Sequence, residues 1–188
     1  VSEEVFRKMS DTAAPQGILC VMRQKKYALA DLLAAKNPLL MILEDIQDPG
    51  NLGTILRTGE GAGIGGVIMS RETADIYNPK TIRSTMGSIY RVPFVYVSSM
   101  EETAVQLKAA GIRLFAAHLK GKSWYDGEDY RKGSAFLIGN EGNGLREETA
   151  ALADTYIKIP MEGRVESLNA AMASGILMYE AARQRRGG

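Results

Sequence analysis

The sequence predicts an α/β fold, a mainly parallel sheet covered by helices on both faces. Six short apolar runs, at 39–43, 67–70, 92–97, 113–117, 135–138 and 155–159, have the length and composition of buried strands. Helical patterns lie between them, and repeated alternation of strand and helix is what a parallel sheet with crossover helices requires. The chain has 188 residues. That length buries about 70% of the surface an unfolded chain exposes, enough to cover both faces of such a sheet.

Local signals justify the elements in order. Residues 2–9 read as a short amphipathic helix, 11–16 as a linker and 18–22 as a strand. After the strand at 39–43, Asn51 is a good N-cap for a helix over 52–62. Asn78-Pro79 offers a cap followed by proline at the first helical position. Ser99-Met100-Glu101-Glu102 is a capping box whose helix should run to about Ala110. Residues 1–36 differ in character from the rest and start without Met. They are expected to be the remnant of a preceding domain plus a linker, with 37–188 forming the main domain.

Composition narrows the function classes. A net charge of +1 with 24% charged residues excludes a polycation wrapped in nucleic acid. Two local basic clusters, Arg23, Lys25 and Lys26, then Arg183, Arg185 and Arg186, read as solvated surface runs. Cys20 stands alone, no His/Cys cluster has metal-ligand spacing, and a reducing cytoplasm fits. No metal is expected. His118, the single histidine, ends the apolar run 113–117 and reads as a packed or edge residue. The opening Val-Ser-Glu-Glu-Val-Phe carries no secretory pattern. The longest uncharged helix-like run, 167–179, is shorter than the about 20 residues a bilayer requires, so no membrane association is expected.

Two familiar motifs fail on context. Gly61-Ala62-Gly63-Ile64-Gly65-Gly66 spells a dinucleotide fingerprint, but a helix precedes it and a strand follows, the reverse of what places a pyrophosphate on a helix N-terminus. It reads as a helix-terminating turn, which disfavours the alternative of a dinucleotide-binding oxidoreductase. Gly121-Lys122-Ser123 resembles the end of a phosphate loop, yet Ala116 occupies the required glycine position and no helix follows.

Three glycine-bearing polar stretches survive. The first, 44–57, leaves the first sheet strand as a polar turn and carries Asn51 and Arg57. The second is Gly139-Asn140-Glu141-Gly142-Asn143-Gly144-Leu145. The third, Ile159-Pro160-Met161-Glu162-Gly163-Arg164-Val165-Glu166-Ser167-Leu168-Asn169, also follows a strand and opens a helix. Ligands of open α/β sheets bind beyond the carboxyl ends of the strands, so three such loops at one edge imply one composite site.

In order, spacing and residue identity these stretches resemble motifs one, two and three of the SpoU (TrmH-like) RNA ribose 2'-O-methyltransferases of the SPOUT superfamily. The resemblance runs over about 39–183. It includes Asn78-Pro79-Lys80, Arg83-Ser84-Thr85-Met86-Gly87-Ser88 and Arg91-Val92-Pro93, which look like the family's intermediate segment. The N-terminal piece resembles the tail of an RNA-binding domain that many members carry.

The resemblance implies a deep C-terminal trefoil knot, S-adenosylmethionine as cofactor, an RNA substrate (ribosomal, with transfer RNA as the alternative), and a homodimer. The uncharged face of the helix after Leu168 agrees with that dimer. It further implies that Gly139, Asn140, Gly144, Ile159, Pro160, Met161 and Leu168 hold the cofactor, and that Asn51, Arg57, Glu141, Ser167 and Asn169 lie nearest the reaction. The family often assigns the motif-one arginine as general base. An arginine guanidinium in a protein is not deprotonated near neutral pH and is a poor proton acceptor. Arg57 is therefore read as a phosphate clamp that stabilises a developing alkoxide. Glu141 is read as a loop brace or a proton acceptor, and Ser167 and Asn169 as reacting-site groups or helix caps.

Overall fold

The structure, a computed structural model, describes residues 1–10 and 14–187; part of the expected linker at 11–16 lies outside them. Its elements in chain order are α1 (Glu3–Met9), α2 (Leu29–Leu33), β1 (Leu39–Leu43), α3 (Pro49–Ala62), β2 (Gly66–Ser70), α4 (Pro79–Thr85), β3 (Phe94–Val97), α5 (Met100–Ala109), β4 (Arg113–Ala117), β5 (Ser123–Trp124), β6 (Ser134–Ile138), α6 (Glu147–Ala150), β7 (Thr155–Lys158) and α7 (Ala170–Arg186). A 3-10 turn at Ser88–Tyr90 precedes β3.

The strands form one sheet in the order β3-β2-β1-β6-β4-β7-β5, and every pairing is parallel. After β1 the chain builds outward through β2 and β3. It then crosses back to lay β4 on the other side, leaving a slot that β6 fills. That reversal is a topological switch point, where crevices open at the carboxyl ends of strands.

Alternating side chains of the fully buried central strands feed two cores, as a sheet covered on both faces requires. Leu39, Met41 and Leu43 join Leu52, Ile55 and Leu56 of α3 and Leu177 and Met178 of α7. Leu40 and Ile42 join Leu32 of α2, Leu107 of α5 and Ala150 of α6. Packing thus continues upstream of residue 37: Leu32 is 1% exposed, and Tyr27 meets Phe94 edge-on at 5.7 Å.

Several local readings shift. Asp48, three residues before Asn51, caps α3, its carboxylate accepting the Asn51 N–H at 2.8 Å, and Pro49 takes the first turn. Asn51 lies inside the helix. Residues 18–22 form no strand; Ile18 and Val21 are 81% and 94% exposed because no neighbouring strand offers backbone partners. Gly63 ends α3 at φ 76, the expected terminating turn. Asn78 and Ser99 cap α4 and α5 as predicted.

The basic C-terminus is not a uniformly solvated run. Arg183 pairs with Glu180, and half-buried Arg185 donates to the carbonyls of Tyr130, Asn37 and Lys132 at 2.7–2.9 Å. A planar five-donor guanidinium suits that convergence of carbonyls, which ties the last turn of α7 to the amino-terminal side of the sheet.

Gly53 marks the closest approach of α3 and α4. A Cβ there would stand 2.5 Å from Ser84 Cβ and 2.7 Å from the Thr81 carbonyl oxygen. Gly53→Ala should cost about 1–3 kcal/mol by overpacking. At about 2–4 °C per kcal/mol for a chain of this size, thermal unfolding should show a loss of roughly 2–12 °C.

Candidate active site at the carboxyl edge of the sheet

The three polar stretches meet. Glu141 sits in the loop after β6, and its carboxylate accepts hydrogen bonds from the backbone N–H groups of Gln47 and Asp48, both at 3.1 Å. It also accepts the Asn51 side-chain amide at 2.9 Å. Asn51 Oδ1 in turn accepts Asn169 Nδ2 at 3.0 Å. Asn169 Oδ1 closes the chain by accepting the Ala171 and Met172 N–H groups, which caps α7. One relay therefore joins residues separated by 90 and 118 positions.

A second anchor holds the same loop to the end of β1. Glu44 is 1% exposed, and its carboxylate accepts the Arg146 N–H at 2.8 Å and the Thr149 hydroxyl. The Arg146 guanidinium pairs with Asp45 and approaches Glu44 at 3.7 Å. Asp45 takes φ 55, and its carbonyl accepts Asn140 Nδ2 at 2.8 Å. Burial raises the Asp45 pKa, but hydrogen bonds from Arg146 and Ser70 outweigh it and leave the group below its ordinary value. Sequence reading passed over Glu44, Asp45, Arg146 and Thr149. The available signal was the acidic pair directly following five buried apolar residues, since an acid emerging from a fully buried strand needs partners.

Beside these anchors opens a cavity of about 410 Å³, at the carboxyl ends of β4, β6 and β7. Gly139, Asn140, Gly144, Ile159, Met161 and Leu168 all line it, as do Glu141 and Ser167. Pro160 does not. Gly139 is required for a reason other than ligand approach. A Cβ there would fall 2.1 Å from Gly144 C and Leu145 N, so the loop folds directly over the end of its own strand. Asn140 is committed to that loop, its Oδ1 accepting the Gly142 and Asn143 N–H groups.

His118 contributes to the wall as well as packing on Tyr156 at 5.2 Å. Its Nδ1 accepts the Lys120 N–H at 3.1 Å, which orders the turn after β4. Ser167 is exposed and caps no helix; Asn169 alone caps α7. Arg57 does not reach the cavity. It lies on the exposed ridge of α3, six residues or about 9 Å beyond Asn51, without an ion-pair partner among the described residues.

A doubly wound parallel sheet with a glycine-rich, hydrogen-bonded crevice at its switch point defines a small-molecule-binding α/β enzyme domain. The sequence profile of the SpoU rRNA Methylase family matches residues 38–179, and the chain belongs to that family. Across 181 residues it is 34% identical to the 23S rRNA (guanosine(2553)-2'-O)-methyltransferase RlmP of Bacillus subtilis, covering 95% of this chain and 70% of that protein. The AdoMet-bound rRNA methyltransferase of Sinorhizobium meliloti superposes with a TM-score of 0.90 at 37% identity, over 97% of this chain and 70% of that one. AviRb of Streptomyces viridochromogenes, a SpoU methyltransferase in complex with AdoMet, gives 0.80 at 34% identity, over 86% and 63% respectively.

Burial raises the Glu141 pKa, but the bonds from Asn51, Gln47 and Asp48 outweigh it and hold the carboxyl below the usual glutamate value. A folded-state pKa below the unfolded one gives stability that is complete above the unfolded value, about 4.3, and lost as pH falls through the folded value. Glu141→Gln should therefore melt below the wild type at neutral pH, and the gap should close in acid below about pH 4. Paired melts across that range check this; a constant gap would contradict it.

Proposed function

We infer that this chain is an S-adenosylmethionine-dependent RNA methyltransferase that methylates a ribose 2'-hydroxyl, with ribosomal RNA as its substrate. Family membership, together with the relay that joins three loops beside the cavity, supports this reading. The cavity suits the cofactor. Its volume falls within the range of about 300–1,000 Å³ for small-molecule sites, and Ile138, Ile157, Ile159, Leu145 and Leu168 supply apolar walls for an adenine ring. When bound, the cofactor supplies an activated methyl group.

The chain's own residues orient and stabilise. Glu141 fixes the first and second loops against each other and sets the width of the crevice. Its oxygens are engaged by three donors and its basicity is lowered, so it acts as a brace and not as a proton acceptor. Ser167, exposed on the cavity wall, is free to meet the ribose. Arg57, on the outer ridge of α3, clamps an RNA phosphate. The loop after β6, folded over its strand, and the return of the chain from β7 to α7 against α3 support a trefoil knot at this edge.

A homodimer completes the site. Met172 and Tyr179 of α7 are 61% and 49% exposed, and with Ile176 they form one apolar stripe at helical spacing. Tyr179 Oη lies 3.0 Å from the Cβ position of Gly61, one turn beyond Arg57 on the outer ridge of α3. Pairing through this stripe sets each Arg57 at the seam between subunits. Exposed Cys20, alone in the chain, suits a reducing cytoplasm.

Calorimetry should detect uptake of S-adenosylmethionine or its demethylated product, and absence of both would overturn the assignment. Arg57→Lys should reduce RNA methylation at least tenfold while leaving cofactor uptake unchanged, because lysine keeps the charge and loses the bidentate fork. Near-full activity would contradict the clamp. Sedimentation should give a dimer for the wild type, and Tyr179→Lys should shift it toward monomer.

A further inference from the structure

The stretch before α2 is pinned to the catalytic domain in a way its composition did not suggest. Lys25 Nζ donates to the Tyr90 carbonyl at 2.8 Å, and the Tyr77 hydroxyl donates to the Lys25 carbonyl at 3.2 Å. Tyr27 packs its ring against Phe94, which also meets Tyr77 edge-on at 5.9 Å. These contacts fix the basic run Arg23, Lys25 and Lys26 while leaving all three exposed.

The neighbouring acids are already engaged. Glu60 binds Ser88 and Arg91, Asp48 binds Lys80, Asp31 accepts the Ala28 N–H and Asp75 accepts the Tyr77 N–H. Among the described residues Arg23, Lys25, Lys26, Arg83 and Arg57 have no carboxylate partner. Short links place the run on the Arg57 side of the domain. Tyr90 ends the 3-10 turn that begins at Ser88, Ser88 donates to Glu60 at 2.5 Å, and Glu60 follows Arg57 by one helical turn.

We propose that residues 23–26 are a docked phosphate track that guides the RNA backbone toward Arg57. Cations without carboxylate partners among the described residues, on an exposed stretch outside helix and strand, match the requirements of a single-stranded polyanion, whose binding is driven by counterion release. The anchor at Lys25 and Tyr77 holds the track in place before RNA arrives, which lowers the ordering cost of binding. This inference rests on the RNA substrate proposed above.

The test uses the whole chain, a short oligouridylate as probe, and salt titration from about 50 to 200 mM. R23A/K26A removes two cations and spares the anchoring Lys25. It should lower the slope of log K against log salt by about 1.4, equivalent to about 25-fold weaker binding near 0.1 M. Cofactor uptake and melting temperature should stay at wild-type values. Tyr77→Phe keeps every charge and the ring contact but removes the hydrogen bond to the Lys25 carbonyl, so it should loosen the anchor and weaken binding several-fold with an unchanged slope. Wild-type affinity and slope in R23A/K26A would overturn the track while leaving the methyltransferase reading intact. Wild-type affinity in Tyr77→Phe would overturn the docking. A wild-type chain that takes up the cofactor and binds no RNA would overturn both.

Discussion

A single carboxylate sets the orientation of both side-chain amides in the relay that joins the three loops. Glu141 can only accept, so Asn51 must turn its NH₂ toward it and present its oxygen on the other side. Asn169 must then donate its own NH₂ to that oxygen, which leaves Asn169 Oδ1 facing the N–H groups at the start of α7. The relay runs from a negative charge to the positive end of a helix, and no member has a choice of amide rotamer. Aligned bonds of this kind reinforce one another, and loss of any one leaves the next amide without a defined partner.

The buried Glu44 makes the relay possible by fixing where the second loop begins its return. Its bonds to the Arg146 N–H and the Thr149 hydroxyl bind α6 to the end of β1, and Arg146 simultaneously secures Asp45. A nearly inaccessible carboxylate is costly unless its oxygens are satisfied, so these partners must be in place whenever the domain is folded. Gly139 adds a steric condition. The chain passes over itself so closely that a methyl group would overlap the crossing peptide. Charge burial and close crossing together leave the cavity wall little freedom to deform.

Much of this was legible in the sequence because the signals were local or periodic. Strands of continuous apolar residues, the caps at Asn78 and Ser99 and the turn at Gly63 need only neighbouring residues to act. The cap of α3 was misplaced because Asp48-Pro49 competes with Asn51, and an aspartate followed by proline matches the helix entry better. The stretch 18–22 has strand-like composition but no edge to pair with, a tertiary condition that composition cannot express. Arg185 looked like one of three surface cations until the fold brought three carbonyls to meet it. The convergence of the loops was anticipated from their position after strands. The identity of the bonds was not, because Glu141, Asn51 and Asn169 touch only through the crossing of the chain.

The arrangement also separates two roles that sequence motifs leave mixed. Glu141 and Asn169 lie beside the cavity, yet their hydrogen-bonding capacity is largely taken up by the protein itself, as expected of groups that shape a site. Arg57 has the opposite profile: a guanidinium on an exposed ridge, outside the cavity wall, with no ion-pair partner among the described residues. The fork of donors that a guanidinium presents suits a phosphate that comes from elsewhere. Under the roles proposed above, the cavity and the phosphate-handling arginine are built on different surfaces of the same chain. That proposal requires the RNA to span both, and it ties turnover to how the backbone of the substrate is laid across α3.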